Sequence, residues 1–336
     1  MRDSAQLPLG FPDDAGGFFG ILSCLMRRFP KLIAFAFLIA ASACGRISST
    51  SIPPARIWLL TSPLLGEGIR ASDSTDSGGL VVLDSSAFRP VLVKAARGIV
   101  TFTNYQGARY HPEAVRAIAD EPAVLDSFSR RAADVAASGG SGLLVDFQEM
   151  SAPDIPQLVE LIRAIGNAAR ARSLAPFGII IPSGDTLSYP APLLARVADV
   201  IVIRLGTEHR PGTRPGPLTT PDFIRRQLGA RTIGLGATRL GAEFPLYGFI
   251  WNRDGSARVI TYREASQLIL REAGSFRRDP ASQFLTSEGR DGWTVWVPDS
   301  KTIKSLIAEA QSRGINTIAL SGLAGSDPAI ADLLKR

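Results

Sequence analysis

Apolar and polar positions alternate along this chain in two rhythms. Short, nearly continuous apolar runs at Ile57–Thr61, Gly98–Asn104, Gly142–Gln148, Phe177–Pro182, Val200–Leu205, Thr232–Ala237 and Thr317–Ser321 read as parallel strands covered on both faces. Longer stretches with apolar residues three and four apart predict helices between them, at Pro112–Ile118, Ala123–Ser138, Ile155–Arg172, Ala191–Ala198, Thr220–Leu228, Tyr262–Glu272 and Ser300–Arg313. Asp222, Asp299 and Ser300 lie near helix starts, where a side-chain oxygen can satisfy free backbone N–H groups. Such alternation allows an open doubly wound sheet or a closed barrel. No Gly-x-Gly-x-x-Gly follows the early strands, and Gly234-Leu-Gly236 lacks the third glycine, so neither a dinucleotide fold nor a bound cofactor is expected. Trp293, Trp296 and the turn Asn252-Arg-Asp-Gly255 belong to a small β excursion spanning residues 245–298.

The first residues follow another pattern. Arg27, Arg28 and Lys31 precede the apolar run Leu32–Ala40, then come Ala41-Ser42-Ala43 and Cys44. A basic flank, a short apolar core and a small-residue exit form a secretory signal. The run is shorter than the about 20 apolar residues that a spanning helix needs. Residues 1–43 are therefore read as a signal peptide, with Met1 and Met26 both possible starts. A cysteine directly after the small residues resembles the cleavage box of bacterial lipoproteins. Residues 44–55, polar and with two prolines near their end, then become a tether lipidated at Cys44, and 56–336 the folded domain. The expected location is the bacterial cell envelope, exported and membrane-anchored on its periplasmic face.

Composition supports a large apolar core and limits the partners. The chain has 336 residues, 45% of them hydrophobic, and only two cysteines, Cys24 and Cys44. A core of that size holds without crosslinks. The net charge of +6 is spread over the chain, whereas a nucleic-acid groove needs clustered basic residues. The two histidines, His111 and His209, lie far apart and are read as solvated loop residues, so neither a metal site nor a Ser-His-Asp triad is expected.

Functional residues of a barrel sit at the C-terminal ends of its strands, here Asn104, Asp146 with Gln148, Ser183, Arg204, Ala237 and Ser321. Strand alternation puts Asp146 and Gln148 on one side, with Phe147 and Glu149 turned away. The segment Ser141-Gly142-Leu143-Leu144-Val145-Asp146-Phe147-Gln148 resembles the fourth-strand motif Asp-Gly-x-Asp-x-Asp-x-Glu of glycoside hydrolase family 18, the chitinases and their relatives. Further segments match in order: Val100–Gln106 resembles the family's third strand, Ala198–Arg204 its sixth, Arg214–Pro217 the loop after that, Tyr247-Gly248-Phe249-Ile250-Trp251 the start of its excursion, and Val295–Asp299 with Gly314–Asp327 its last helix and strand. The likeness covers residues 57–330 and implies a (β/α)8 TIM barrel. Ile57–Thr61 aligns with the family's second strand, so the first has no clear counterpart, and the barrel is expected to be incomplete there or completed from residues 46–56 or by a partner.

In that family the substrate's own acetamide attacks, so no second carboxylate serves as nucleophile. The motif glutamate protonates the leaving oxygen and the aspartate two residues earlier orients the acetamide. Asp146 keeps the second role; Gln148 cannot fill the first, because an amide has no proton to release near neutral pH. The family's Met-x-Tyr-Asp reads Arg204-Leu205-Gly206-Thr207, its floor tryptophan is Ser321, and two further motif aspartates are Ser141 and Leu144. Asn104, Tyr105, Arg204, Tyr247 and Trp251 are the candidate substrate-binding residues. The expectation is a degenerate chitinase-like barrel that binds an N-acetylhexosamine-containing envelope polysaccharide without hydrolysing it. Two alternatives stay open: an active hydrolase with a relocated acid (Glu149, or a loop carboxylate such as Glu208 or Glu243), and a non-sugar-binding protein partner in an envelope polysaccharide system.

Overall fold

The computed structural model describes residues 54–65, 79–84, 89–94, 98–107 and 109–334. All belong to the unit Pro53–Arg336. The signal peptide, Cys44 and nearly all of the tether lie outside the described residues.

Strands β1 (Arg56–Leu60) and β2 (Gly79–Asp84) come first, and β2 is followed by its antiparallel partner β3 (Arg89–Lys94). Strand β4 (Ile99–Thr103) leads into a short hairpin, β5 (Tyr105–Gln106) and β6 (Arg109–Tyr110). Helices α1 (Pro112–Ala119) and α2 (Pro122–Gly139) precede β7 (Gly142–Asp146), and α3 (Ile155–Ala171) precedes β8 (Phe177–Pro182). Then come α4 (Ala191–Leu194), β9 (Val200–Arg204), α5 (Pro221–Thr232) and β10 (Leu240–Pro245). The excursion follows: β11 (Tyr247–Trp251), β12 (Ala257–Thr261), α6 (Tyr262–Arg271), β13 (Arg277–Arg278), β14 (Leu285–Glu288) and β15 (Thr294–Val297). Helix α7 (Ser300–Ser312), β16 (Thr317–Ser321) and α8 (Ile330–Leu333) end the domain.

Parallel pairing runs β1-β16-β10-β9-β8-β7-β4-β2, so the first strand lies against the last and the sheet curls into a (β/α)8 barrel. Its remaining seam is between β1 and β2, which share no ladder among the described residues, while β3 occupies the edge of β2. The expectation for Ile57–Thr61 is corrected here: Arg56–Leu60 pairs in register with Thr317–Ser321 and is the barrel's first strand, and the second, Gly79–Asp84, was missed. No chemistry-bearing residue marks β1, so sequence pattern alone could not distinguish it from its neighbour. The predicted strand Thr232–Ala237 is also corrected. Helix α5 extends to Thr232, Gly234 at φ 75° turns the chain, and the strand begins at Leu240.

The alternation of each strand builds two cores. Inward side chains Trp58, Leu60, Ile99, Leu144, Ile180, Val200, Val202 and Ala319 fill the barrel. Outward ones such as Phe102, Val145, Ile179 and Ile203 pack in a second layer with Leu158, Leu161, Ile162 and Ile165 of α3. Each fully buried aliphatic side chain contributes about 1.5–3 kcal/mol. The apolar interior stops near the C-terminal strand ends, where polar side chains replace it. The excursion is a five-stranded antiparallel sheet, ordered β12-β11-β15-β14-β13, with α6 packed on its own small core.

Candidate functional site

Strand β7 delivers Asp146 into the barrel mouth with no exposed surface. The next residue, Phe147, points out and meets Phe102 edge-to-face at 5.3 Å. Gln148 turns back in, and its Nε2 donates to Asp146 Oδ1 at 2.7 Å and to the Ile180 carbonyl at 3.1 Å. The two side chains stand side by side, as alternation requires. Asn104, just past β4, clasps this strand end in both directions. Its Nδ2 donates to the Gln148 carbonyl and its Oδ1 accepts from the Gln148 N–H, both at 3.0 Å. On the outer side the Tyr189 hydroxyl donates to the Phe147 carbonyl at 2.9 Å and accepts from the Met150 N–H at 3.0 Å. Glu149 lies between these braces at φ 62°, a left-handed conformation unusual for a side-chain-bearing residue, and is exposed to solvent.

The charge in the mouth is carried by three groups. Arg204, at the end of β9, donates from one terminal nitrogen to Asp146 Oδ2 at 2.8 Å and from Nε to Glu243 Oε2 at 2.9 Å. Its other terminal nitrogen reaches the Tyr110 hydroxyl at 3.3 Å. Burial disfavours the Arg204 charge, but the carboxylates of Asp146 and Glu243 outweigh it and hold the guanidinium protonated well beyond its ordinary range. Burial also pushes the Tyr110 hydroxyl up, and lifts Tyr247 to about 12 with the help of the Glu243 charge. Both phenols stay neutral near pH 7. Asp146 therefore has one oxygen bound by an amide and the other by a guanidinium. Neither Gln148 N–H is left to meet a ligand.

The remaining predicted residues fall in three places. Tyr247 is buried near the cluster, and Tyr105 packs edge-to-face on Tyr110 at 4.9 Å, half-exposed. Trp251 lies farther along the excursion, 1% exposed, with its indole N–H donating to the Thr213 carbonyl at 3.1 Å. Ser183 and Thr207 share a hydrogen bond of 2.9 Å across neighbouring strand ends, and Ser321 is buried with a hydroxyl that has no partner among the described residues. Ala237 sits in a short turn before β10, away from the strand end assigned to it. The strand-end role belongs to Glu243, which is not a loop carboxylate: it lies on β10, facing inward, 5% exposed. Glu208 does lie in a loop, 3.7 Å from Arg226. Histidine exposure is also corrected. His111 is only 13% exposed in its side chain, with Nδ1 2.9 Å from Glu113 and Nε2 3.1 Å from the Gln106 carbonyl, and the His209 ring packs against Gly216. Sequence reasoning missed Tyr110, whose neighbour Arg109 and glycine-containing turn mark a hairpin but give no sign of what it covers.

Barrel, excursion and strand-end polar set together define a chitinase-like barrel. The chain shares its fold with chitinases and with a sporulation-specific glycosylase. No family model matches the chain. It is 20% identical over 241 residues to the sporulation-specific glycosylase YdhD of Bacillus subtilis, covering 66% of this chain and 56% of that protein, so it spans just over half of that relative's length. The crystal structure of that glycosylase superposes with a TM-score of 0.59 over 67% of this chain and 79% of that one. A chitinase from Chromobacterium violaceum gives 0.68 at 17% identity, covering 84% of this chain and 98% of its own. A class V chitinase from Nicotiana tobaccum, solved as a glutamate-to-glutamine variant in complex with NAG4, gives 0.64 at 17% identity over 82% and 96% of the two chains.

Proposed function

We propose that this protein engages an amino-sugar glycan of the cell envelope on a chitinase-like barrel that has lost hydrolysis. The observation that carries the reading is the hydrogen-bonded closure of Gln148, Asp146 and Arg204. The amide at the acid position donates to the aspartate that would orient an acetamide, and the guanidinium occupies that aspartate's other oxygen. A carboxyl acid in this place would have a proton to release; the amide does not. The glutamine variant of the Nicotiana tobaccum chitinase that holds NAG4 supports the idea that such a barrel can retain sugar without a glutamate at one position. Secretion and a lipid anchor on Cys44 complete the proposal and rest on the sequence pattern of residues 27–44.

The relocated-acid alternative has less support. Glu149 is exposed and has no hydrogen-bond partner among the described residues, and Glu243 is committed to Arg204. The alternative of a protein partner without a sugar site draws on the burial of Asp146 and the cover supplied by Tyr110. Calorimetric titration of the full chain with N-acetylglucosamine tetramer, followed by chromatography of the incubated sugar, tests the proposal. Binding with the tetramer recovered intact is expected. Cleavage of the tetramer, or no heat of binding for it and for peptidoglycan fragments, overturns it.

A further inference from the structure

A second concavity, of about 350 Å³, opens between the loop after β9 and the tip of the β11–β12 hairpin. Thr213, Arg214 and Pro215 form one wall, Asn252 and Arg253 the other, and Trp251 lines it between them. Both walls are built from chain that leaves the C-terminal ends of barrel strands, β9 on one side and β10 on the other. The walls are tied together at their base, because the Trp251 indole N–H donates to the Thr213 carbonyl at 3.1 Å. The Arg214 wall is braced from behind: the Thr213 hydroxyl accepts from the Arg210 N–H at 3.0 Å, and His209 Nδ1 lies 3.1 Å from the Arg214 carbonyl. Across the cleft, the aliphatic stem of Arg253 runs over Gly292, where an added Cβ would lie 3.4 Å from it.

The charge of this cleft is unbalanced. Arg214 and Arg253 are exposed, and neither has an ion-pair partner among the described residues. The neighbouring Asp254 turns its carboxylate into its own turn, accepting from the Ser256 N–H at 2.9 Å and hydroxyl at 2.6 Å. Asp291, beside Gly292, makes no ion pair with either arginine. Two guanidinium groups carried on fixed backbone from opposite walls suit one acid group, since each presents planar N–H donors that match a carboxylate or phosphate. A neutral sugar offers these donors only uncharged oxygens, without the charge-assisted, bidentate match of an acid group.

We infer that this cleft binds the anionic unit of a glycan, a uronate or a phosphate-bearing sugar, with Arg214 and Arg253 gripping the acid group above Trp251. The inference rests on the glycan-binding reading and narrows its substrate class to acidic polysaccharides. Fixed walls reduce the ordering cost of binding. The acid group supplies most of the discrimination, so affinity falls as salt screens the exposed arginines.

Titration of the full chain with trigalacturonate, its neutral methyl ester and galactose 6-phosphate tests this. At least one anionic ligand is expected to bind, and the methyl ester about 10-fold more weakly than the free acid or worse. Arg214→Gln combined with Arg253→Gln should weaken the anionic ligand about 10-fold or more. Arg131→Gln, an exposed position on α2, should leave it unchanged and so reports on net charge alone. Which anionic probe binds distinguishes carboxylate from phosphate. Absence of binding by both, or equal affinity in the double variant and Arg131→Gln, overturns the inference. N-acetylglucosamine tetramer and peptidoglycan fragments are titrated in parallel: binding of either without binding of the anionic probes ends this inference and leaves the proposed function standing, while binding of an anionic probe with neither of them bound overturns the proposed function and leaves the cleft as an acid-binding site.

Discussion

The ring of Pro245 stands 2.4 Å from where a Cβ on Gly206 would lie. In the resemblance to the family 18 motif Met-x-Tyr-Asp, Gly206 aligns with the tyrosine, and the end of β10 fills the space that a side chain there would use. A side chain at position 206 would therefore require Pro245 to move as well. Restoring the acid alone is therefore expected to fail. Gln148→Glu would supply a proton donor, a contribution of about 10²–10⁴-fold in a competent site, but into a subsite lacking the tyrosine, with Arg204 on Asp146. Incubation of Gln148→Glu with N-acetylglucosamine oligomers should give no more product than the wild type. Turnover in that variant, or wild-type turnover abolished by Glu149→Ala, would overturn the proposed loss of hydrolysis.

Anchoring is tested independently of the barrel. If Cys44 carries the lipid, Cys44→Ser should move the protein from the membrane to the soluble fraction or leave an uncleaved precursor, read by fractionation and mass spectrometry. One acyl chain anchors only marginally, so the wild type should carry more than one. Unchanged fractionation and processing of the variant would remove the lipoprotein from the proposal.

Residues whose role depends on strand alternation were legible in the sequence. Asp146 and Gln148 were placed together because period-two alternation fixes which side chains share a face, and Phe147 was turned away for the same reason. Helices α1, α2, α3, α6 and α7 were found within a residue of their ends because a 3.6-residue apolar stripe is long enough to be unambiguous. Strand β10 was not legible: Leu-Gly-Ala-Glu-Phe-Pro contains a glycine, a charge and a proline, all of which read as loop. Its Glu243 becomes a core residue only because Arg204 reaches it from a neighbouring strand 39 positions away. That pairing is a property of the closed barrel, and no local pattern announces it.

Stability should fall in acid partly through Asp299. Burial works against its charge, but the Arg278 guanidinium and the Thr302 N–H and hydroxyl outweigh that and hold the carboxyl below the usual carboxylate range. A carboxylate depressed on folding adds stability that is fully present above its unfolded pKa, near 4, and is lost as pH falls through the lower folded value. Asp299→Asn should lower stability by about 1 kcal/mol or more at pH 7, as it removes an ion pair and alters the cap of α7. It should also flatten the loss as pH falls below about 4 in urea titrations. An unchanged acid limb would assign that loss to other carboxylates, such as Asp154 with Arg116.

Arg204 tests whether the mouth of the barrel is held by its charge network. Replacing it with methionine, the residue the family carries there, keeps a similar length and apolar stem but removes every donor to Asp146 Oδ2 and Glu243 Oε2. Two buried carboxylates would then face each other across the barrel with no cation between them. Breaking a buried pair on one side costs about 3–5 kcal/mol, because the remaining charge stays desolvated and unpaired. Arg204→Met should thus lower the unfolding free energy by about that amount in chemical denaturation. Adding Glu243→Gln and Asp146→Asn to Arg204→Met removes both orphaned charges and should recover much of the loss, since neutral amides can hydrogen-bond to one another and to Gln148. A stability change below about 1 kcal/mol in Arg204→Met would mean that water already screens the cluster, and that the three charges do not act as a unit.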